Sequence, residues 1–407
     1  MAKVMNGDRL HIAIFGRRNA GKSSIINALT GQPVSIVSDT PGTTTDPVSK
    51  AMELLPVGPV MLIDTAGIDD TENELGLERV RRSLRVLESS DMALLVVDAS
   101  GNAGELEDEV LKKCDEQKVP CIIILNKADL PQSDKTAGWL NGKSFVKTSA
   151  KNSEGIEILK EKIIEAAPSG WEPPFLKDLL SPSQVILLVT PIDASAPKGR
   201  MIMPQVRAWR DILDADAIAL SCQTEELAAT LAKLKDPPDL VVTDSQVFPK
   251  VAAVVPESVP LTSFSILSAR QKGDLAEMVR AVKAVDSLRP GDKVLIAESC
   301  THHSLHDDIA RVKIPKLLNK KVGGDLIIDI AAGAGYPENL QEYKLVIHCG
   351  ACTLNRREML RRQAVPAKLS LPMTNFGVLI SYISGVFPRA LKPIPEFEEE
   401  TWLRKQW

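Results

Sequence analysis

Aromatic residues make up only 4% of the 407-residue chain. Positive charge is not in excess either: 49 lysines and arginines face 53 aspartates and glutamates, for a net charge of −4. That balance provides no bulk attraction to nucleic acid or to an anionic membrane, and with so few aromatics it argues against a basic nucleic-acid face. No apolar stretch approaches the ~20 residues that a membrane-spanning helix requires. Residues 1–8 are polar and lack the character of a signal peptide, so a cytoplasmic location is expected. Cysteine is scarce, with six in the chain, and the six are clustered rather than spread. A disulfide framework is therefore not expected. Cys114, Cys121 and Cys222 lie in apolar surroundings and read as buried small hydrophobes. No internal repeat and no low-complexity tract is discernible.

What cysteine and histidine there is gathers near the C-terminus. Three of the six cysteines and four of the five histidines fall between Cys300 and Cys352. They occur as Cys300-Thr301-His302-His303, with His306 close behind, and as His348-Cys349-Gly350-Ala351-Cys352. Thiolate and imidazole groups concentrated in this way point to zinc or an iron–sulfur cluster. Three cysteines are one short of an all-thiolate site, so the fourth ligand is the open question.

Apolar runs alternate with helical patterns along the chain, which predicts an α/β protein of three domains. The first spans residues 1–168, with strands at 10–15, 60–64, 93–98, 121–126 and 144–148. A Pro-rich linker is expected at 169–183. A small α/β domain follows at 184–266, with strands at 185–190, 217–221 and 240–243 and a helix at 224–234. The third covers 267–407, with strands at 293–297, 325–330 and 344–347.

The run Gly16-Arg17-Arg18-Asn19-Ala20-Gly21-Lys22-Ser23 follows a predicted strand, opens a helix and fits the phosphate-binding loop pattern. Its glycines let backbone N–H groups wrap the phosphates, Lys22 neutralises the β/γ charge and the Ser23 hydroxyl ligates Mg²⁺. Gly16, Asn19, Ala20, Gly21, Lys22, Ser23 and Ser24 are the candidate nucleotide-binding residues here. Asp64-Thr65-Ala66-Gly67 ends a strand, where the Asp64 carboxylate reaches the Mg²⁺ shell and the Gly67 N–H the γ-phosphate. Asn126-Lys127-Ala128-Asp129 ends another, and a carboxylate at Asp129 accepts from the guanine N1–H and 2-amino edge, so the nucleotide is GTP. Ser149 and Ala150 bring a backbone N–H towards the guanine oxygen. Gly42-Thr43-Thr44-Thr45-Asp46 occupies the place of a switch loop, with Thr44 as Mg²⁺ ligand while the γ-phosphate is present.

Ile68 stands where Ras-like enzymes carry the glutamine that orients water, so unaided hydrolysis is expected to be slow. The domain resembles the translation-factor-related GTPases that lack this glutamine and use a monovalent cation. That resemblance implies that Asn19 supplies an oxygen to K⁺; an ordinary role in loop geometry is the alternative.

Cys300 and His348-Cys349 each follow a predicted strand, so both lie at strand carboxyl ends, where open α/β sheets bind ligands. The thiolates converge only if those two strands are neighbours. A structural zinc site with three Cys and one His, a redox disulfide, and a [4Fe-4S] cluster with three thiolates all fit the residue types. The chain as a whole resembles the [FeFe]-hydrogenase maturation GTPases, on the strength of the G-domain motifs together with Cys300, His302, His348, Cys349 and Cys352. The resemblance implies a G domain, a middle dimerisation domain and a C-terminal cluster domain. It further implies a scaffold that binds a [4Fe-4S] cluster, receives a di-iron precursor made with two radical-SAM maturases and delivers it to apo-[FeFe]-hydrogenase. Under it, Cys300, Cys349 and Cys352 fix three irons, and His302, His348 or Glu298 is the displaceable fourth ligand or a hydrogen-bond partner. The plainer role for Glu298 is a solvated charge at a strand end. A ribosome-assembly or tRNA-modifying GTPase with a zinc module is the rival reading.

His303 and His306 read as structural or solvent-facing. Ala331-Ala332-Gly333-Ala334-Gly335-Tyr336 reads as a tight turn near the cluster pocket, because the third glycine of a dinucleotide loop is missing. Arg356, Arg357, Arg361 and Arg362 read as a solvated helix face, with docking of an anion or an acidic partner as the alternative. Residues 375–389 read as one buried helix rather than a membrane contact.

Overall fold

The computed structural model describes residues 6–31, 48–70, 74–171, 173–192, 201–299, 308–333 and 335–397. Thr44, Cys300, His302, His303 and His306 lie outside them. The chain divides into two compact units, Met1–Trp171 and Glu172–Trp407.

The first unit is a six-stranded sheet of β1 (Leu10–Gly16), β2 (Val48–Leu54), β3 (Gly58–Asp64), β4 (Met92–Asp98), β5 (Cys121–Asn126) and β6 (Phe145–Lys147), in the order β2-β3-β1-β4-β5-β6. All neighbours are parallel except β2, which pairs antiparallel with β3 at the edge. Helices α1 (Lys22–Thr30), α2 (Glu74–Ser89), α3 (Glu105–Glu116), α4 (Asp134–Leu140) and α5 (Ile156–Ala166) complete it. Alternate side chains of β1 serve two cores: Ile12 and Ile14 pack with Ile25, Ile26 and Leu159, while Ala13 and Phe15 pack with Val110 and Cys114. Burial on both faces explains why β4 reads as an unbroken apolar run. Strand β1 lies between β3 and β4, so connections leave it in both directions along the sheet, and the loop after it opens into the crevice where such sheets hold ligands.

The second unit holds two all-parallel four-stranded sheets. The first comprises β7 (Val185–Val189), β8 (Ile218–Cys222), β9 (Leu240–Thr243) and β10 (Leu261–Ser263), ordered β10-β9-β7-β8. Its helices are α6 (Met203–Asp214), α7 (Leu227–Lys233), α8 (Phe248–Val254) and α9 (Phe264–Lys272). The second comprises β11 (Lys293–Glu298), β12 (Ile327–Ala332), β13 (Leu345–His348) and β14 (Met373–Asn375), ordered β12-β11-β13-β14. With it go α10 (Leu275–Ala281), α11 (Ile314–Val322), α12 (Arg356–Lys368), α13 (Phe376–Ile383) and α14 (Phe387–Leu391). One continuous core joins Leu187, Val189 and Val241 of the first sheet to residues of β11 and β13 in the second.

The two sheets have the same strand order, and this corrects the expectation of no internal repeat. Numbered within each sheet, both run second-first-third-fourth. Each fourth strand enters its helix through matching residues: Pro260-Leu261-Thr262-Ser263-Phe264-Ser265-Ile266-Leu267 and Pro372-Met373-Thr374-Asn375-Phe376-Gly377-Val378-Leu379. Ser263 caps α9 by accepting from Ile266 N, and Asn375 caps α13 by accepting from Val378 N. The two helix starts touch, with Asn375 Nδ2 donating to Ser265 O at 3.1 Å. A side chain at Gly377 would meet Ser265 Cβ at 2.6 Å, so the close approach requires glycine there. The repeat is hidden because eight short matching residues sit 112 apart within otherwise divergent sequence.

Other expectations also shift. Phe175 and Leu176, inside the Pro-rich stretch, are buried in the core of the middle sheet, and α9 runs through the expected limit at 266. The expected helix at 375–389 is broken into α13 and α14 at Gly385, whose φ of 75° is left-handed. Strands β2, β10 and β14 had no expectation; β10 and β14 are three residues each, too short for a period-2 pattern to register.

Candidate functional site

In the first unit, Gly16 ends β1 with φ 149°, and a Cβ there would lie 2.3 Å from Val96 O. The loop then passes through Asn19, whose φ of 59° is left-handed, into α1. Lys22 Nζ donates to Gly16 O at 3.0 Å and Arg17 O at 2.9 Å. Ser23 Oγ donates to Asp64 Oδ2 at 2.7 Å, which brings the helix start and the end of β3 together. Burial lowers the Lys22 pKa, partly offset by Asp64, and burial raises that of Asp64 against the pull of Ser23 and Lys22. Both shifts mark charges held out of water in a cleft, as at a phosphate–metal site. Gly67 packs tightly, since a Cβ would fall 2.7 Å from Arg18 Cγ and 2.8 Å from Asp69 Oδ1. Ile68 is 4% exposed in the apolar core, so no side chain at this position reaches out to orient water.

The base-side loops are knitted to the phosphate loop. Asn126 is buried; its Nδ2 donates to Ala20 O at 3.0 Å, and its Oδ1 accepts from Ala150 N at 3.1 Å. Gly21 allows this approach, because a Cβ there would meet Asn126 Nδ2 at 2.2 Å. Lys127 pairs with Asp98 at 2.6 Å. Ser149 Oγ donates to Asp129 at 2.7 Å, and that bond holds the exposed Asp129 carboxyl below its ordinary pKa. The Asp129 carboxylate is therefore ionised and oriented. A cavity of about 600 Å³ lies between α1 and this loop, lined by Ser24, Ala150 and Lys151 among others.

In the second unit, β11 and β13 are hydrogen-bonded neighbours, with Ala297 opposite His348. The residues that follow them therefore meet. Cys349 Sγ lies 3.3 Å from Ser299 N and 3.2 Å from Ser299 Oγ, and Thr353 Oγ1 donates to Ser299 Oγ at 3.3 Å. Burial raises the Cys349 pKa, but His348, Ser299 and the Ala351 N–H outweigh it and bring the thiol down to about 6. His348 is fully buried, with Nδ1 2.8 Å from Cys349 O and Nε2 without a partner among the described residues. The 349–354 loop turns through Ala351, whose φ is 53°. Lys272, 5% exposed at the end of α9, donates to Ala351 O at 3.2 Å, Cys352 O at 3.4 Å and Leu354 O at 2.9 Å.

This donor set fits a thiophilic metal centre: an acidified thiol, a second cysteine three residues on, and a buried imidazole nitrogen without a hydrogen-bond partner among the described residues. Among the described residues no three such side chains gather, and Cys300, the residue after Ser299, falls outside them. Two expectations need correction. Glu298 is not a solvated strand-end charge; its side chain is 2% exposed and pairs with Arg311 at 2.9 Å. The strand end is roofed by the helical stretch that carries Arg311, which removes it from water. The arginine run is not a solvated face either. Arg356 donates to Gln271 O of α9, Arg361 pairs with Glu358 at 2.7 Å, and Arg362 is buried against Gly333 and the Tyr336 ring. Ala331 and Ala332, expected in a turn, instead end β12, and Gly333 N donates to Glu298 O at 3.0 Å beside β11. Neither Ser299 nor Lys272 stands out in the sequence. Ser299 carries a hint in adjoining Cys300, whereas Lys272 precedes the loop it holds by 80 residues or so and gives none.

Comparison with known proteins agrees with this division. The family model described as hydrogen maturase F tetramerization domain matches residues 276–393, and the hydrogen maturase F dimerization domain matches 175–273. Together these two cover just over half of the chain. The 50S ribosome-binding GTPase model matches residues 11–127. Among curated proteins, the tRNA modification GTPase MnmE of Clostridioides difficile (strain 630) is 36% identical over 157 residues, 38% of this chain and 34% of that protein. The same enzyme from Carboxydothermus hydrogenoformans is 38% identical over 159 residues, 37% of this chain and 33% of that protein. The chain thus spans about a third of the length of the curated relatives it matches. Among solved structures, the G domain of the T. maritima FeoB iron transporter covers 39% of this chain and 99% of its own, at 26% identity and a TM-score of 0.32.

Proposed function

The chain belongs to the hydrogen maturase F family, and from that premise we propose that it is a GTP-hydrolysing scaffold that carries a [4Fe-4S] cluster and passes a di-iron precursor to apo-[FeFe]-hydrogenase. The observation that carries this reading is the meeting of Ser299 and Cys349 at the neighbouring ends of β11 and β13. Cys349 and Cys352, with Cys300 next to Ser299, would hold three irons. When bound, such a cluster supplies one iron whose remaining ligand is exchangeable. His348, Ser299 and the Ala351 N–H stabilise the Cys349 sulfur as thiolate, and Lys272 keeps the loop in shape. His348 offers Nε2 from a dry position. Glu298 serves as fourth ligand only by leaving Arg311, which makes it a displaceable one; His302 is the other imidazole candidate.

The N-terminal domain is a P-loop GTPase domain. In the proposed reaction Lys22 neutralises the β/γ-phosphate charge, and Ser23, Thr44 and Asp64 serve Mg²⁺. The Gly67 N–H meets the γ-phosphate, and Asn126 and Asp129 select guanine. With Ile68 buried, hydrolysis is slow without help, and Asn19 supplies the oxygen that lets K⁺ stimulate it. The dimerization and tetramerization domains support self-association, with a dimer through the middle domain, and the two radical-SAM maturases are the proposed source of the precursor. The test of delivery is direct. The chain purified after co-expression with both maturases should activate apo-[FeFe]-hydrogenase for hydrogen evolution, and the chain expressed alone should not. Equal activation by both preparations would remove the carrier role.

A further inference from the structure

Asp69 lies two residues past Gly67, and its carboxylate is turned back onto the phosphate loop. Its Oδ1 accepts from Arg18 N at 2.7 Å, at the short end of the range, as a bond to a charged acceptor is. Two further contacts fasten this turn to the loop. Ile68 N donates to Gly16 O at 3.3 Å, and Arg18 Nη2 pairs with the buried Asp70 at 3.4 Å.

Gly67 is enclosed by the Asp69–Arg18 bond. A Cβ on it would fall 2.8 Å from Asp69 Oδ1 and 2.9 Å from Arg18 N. The carboxylate therefore borders the residue whose own N–H is to meet the γ-phosphate. It is also near enough for its charge to act on the cations of the loop. Burial lowers the Lys22 pKa, and Asp64 and Asp69 both work against it. Glu107 raises the Arg17 pKa, and Asp69 adds to it.

An anionic oxygen thus already sits beside the Arg18 N–H, Gly67 and Lys22. GDP brings no γ-phosphate to these groups, whereas GTP places a second anion among them. Like charges a few ångströms apart in a partly buried cleft repel.

The geometry points to Asp69 as the residue that sets the preference between GDP and GTP in this domain. Its carboxylate is a built-in competitor of the γ-phosphate, and GTP must draw the Asp69–Arg18 bond apart to bring Gly67 onto that phosphate. This role, which rests on the GTPase reading, falls to a residue outside the GTP-binding motifs.

The test is calorimetric titration of the full chain with GDP and, separately, with the β,γ-imido analogue of GTP, both with Mg²⁺ and K⁺. Asp69→Asn keeps the size of the side chain and an acceptor for Arg18 N but removes the charge. Asp69→Ala removes both. In each variant the analogue should bind about tenfold tighter relative to GDP than in the unaltered chain, roughly 1.4 kcal/mol. GDP affinity should stay within about twofold, which also reports that the nucleotide site is folded. A ratio that stays put or moves towards GDP, or loss of GDP binding in Asp69→Asn, would overturn the role of Asp69. Failure of the unaltered chain to bind either nucleotide would overturn the GTPase reading along with it, so the two failures are distinct.

Discussion

Lys272, at the last turn of α9, donates from its buried ammonium to Leu354 O at 2.9 Å, just past the Cys-x-x-Cys loop. The same group reaches Ala351 O and Cys352 O. A helix of the middle domain therefore holds the backbone of the proposed cluster loop. Replacement by Lys272→Met leaves those carbonyls without their charged donor, at a cost of about 3 kcal/mol. The expected outcome is a lower denaturation midpoint together with reduced iron per chain after reconstitution. Unchanged iron content would show that the loop keeps its shape without the lysine.

Cys349 allows a pH test. Its folded pKa of about 6 lies below the ordinary thiol value. A depressed acid adds stability that is fully present above the unfolded pKa, roughly 8.5, and is lost as pH falls through about 6. Stability of the metal-free chain should therefore rise between those limits, and a Cys349→Ser variant should lose that slope. Alkylation of Cys349 by iodoacetamide should reach half its plateau rate near pH 6.

Much of this was legible in the sequence, and what was not has physical causes. The GTP-binding motifs are contiguous, because one strand and its following turn supply each group of ligands. Ser23 and Asp64 were readable separately, and the structure adds the 2.7 Å contact between them. The demand that β11 and β13 be neighbours was a sequence-level condition, and it is met. Lys272 and Arg311 act across long separations, which no local pattern records. The burial of Glu298 depends on what covers it, and a strand end looks the same whether roofed or open.

The buried Glu298 carboxylate pairs with the partly exposed Arg311 at 2.9 Å. Glu298→Gln leaves Arg311 its longer pair with Asp308 at 3.5 Å and should cost about 1 kcal/mol, because the arginine is partly open to water. If the carboxylate also serves as exchangeable ligand, the electron paramagnetic resonance signal of the reduced cluster should change as well. Loss of stability with an identical spectrum would leave Glu298 a structural partner of Arg311 and turn attention to His302 and His348.

The nucleotide site should be separable from the cluster. Lys22→Ala or Asp64→Asn should slow GTP hydrolysis on the order of a hundredfold, by removing charge stabilisation of the transferring phosphoryl group. Iron per chain should match the unaltered protein in both. Exchange of K⁺ for Na⁺ should slow hydrolysis in the unaltered chain and have little effect in Asn19→Ala; equal rates in both salts would exclude the role proposed for Asn19.

The central claim is that Cys300, Cys349 and Cys352 hold an iron–sulfur cluster with one exchangeable position. Metal analysis of anaerobically purified chain, with its visible spectrum, tests it most directly. The expected result is a brown protein with broad visible absorption and about four irons per chain, lost when any one of the three cysteines is replaced by alanine. A colourless protein with about one zinc per chain would contradict it.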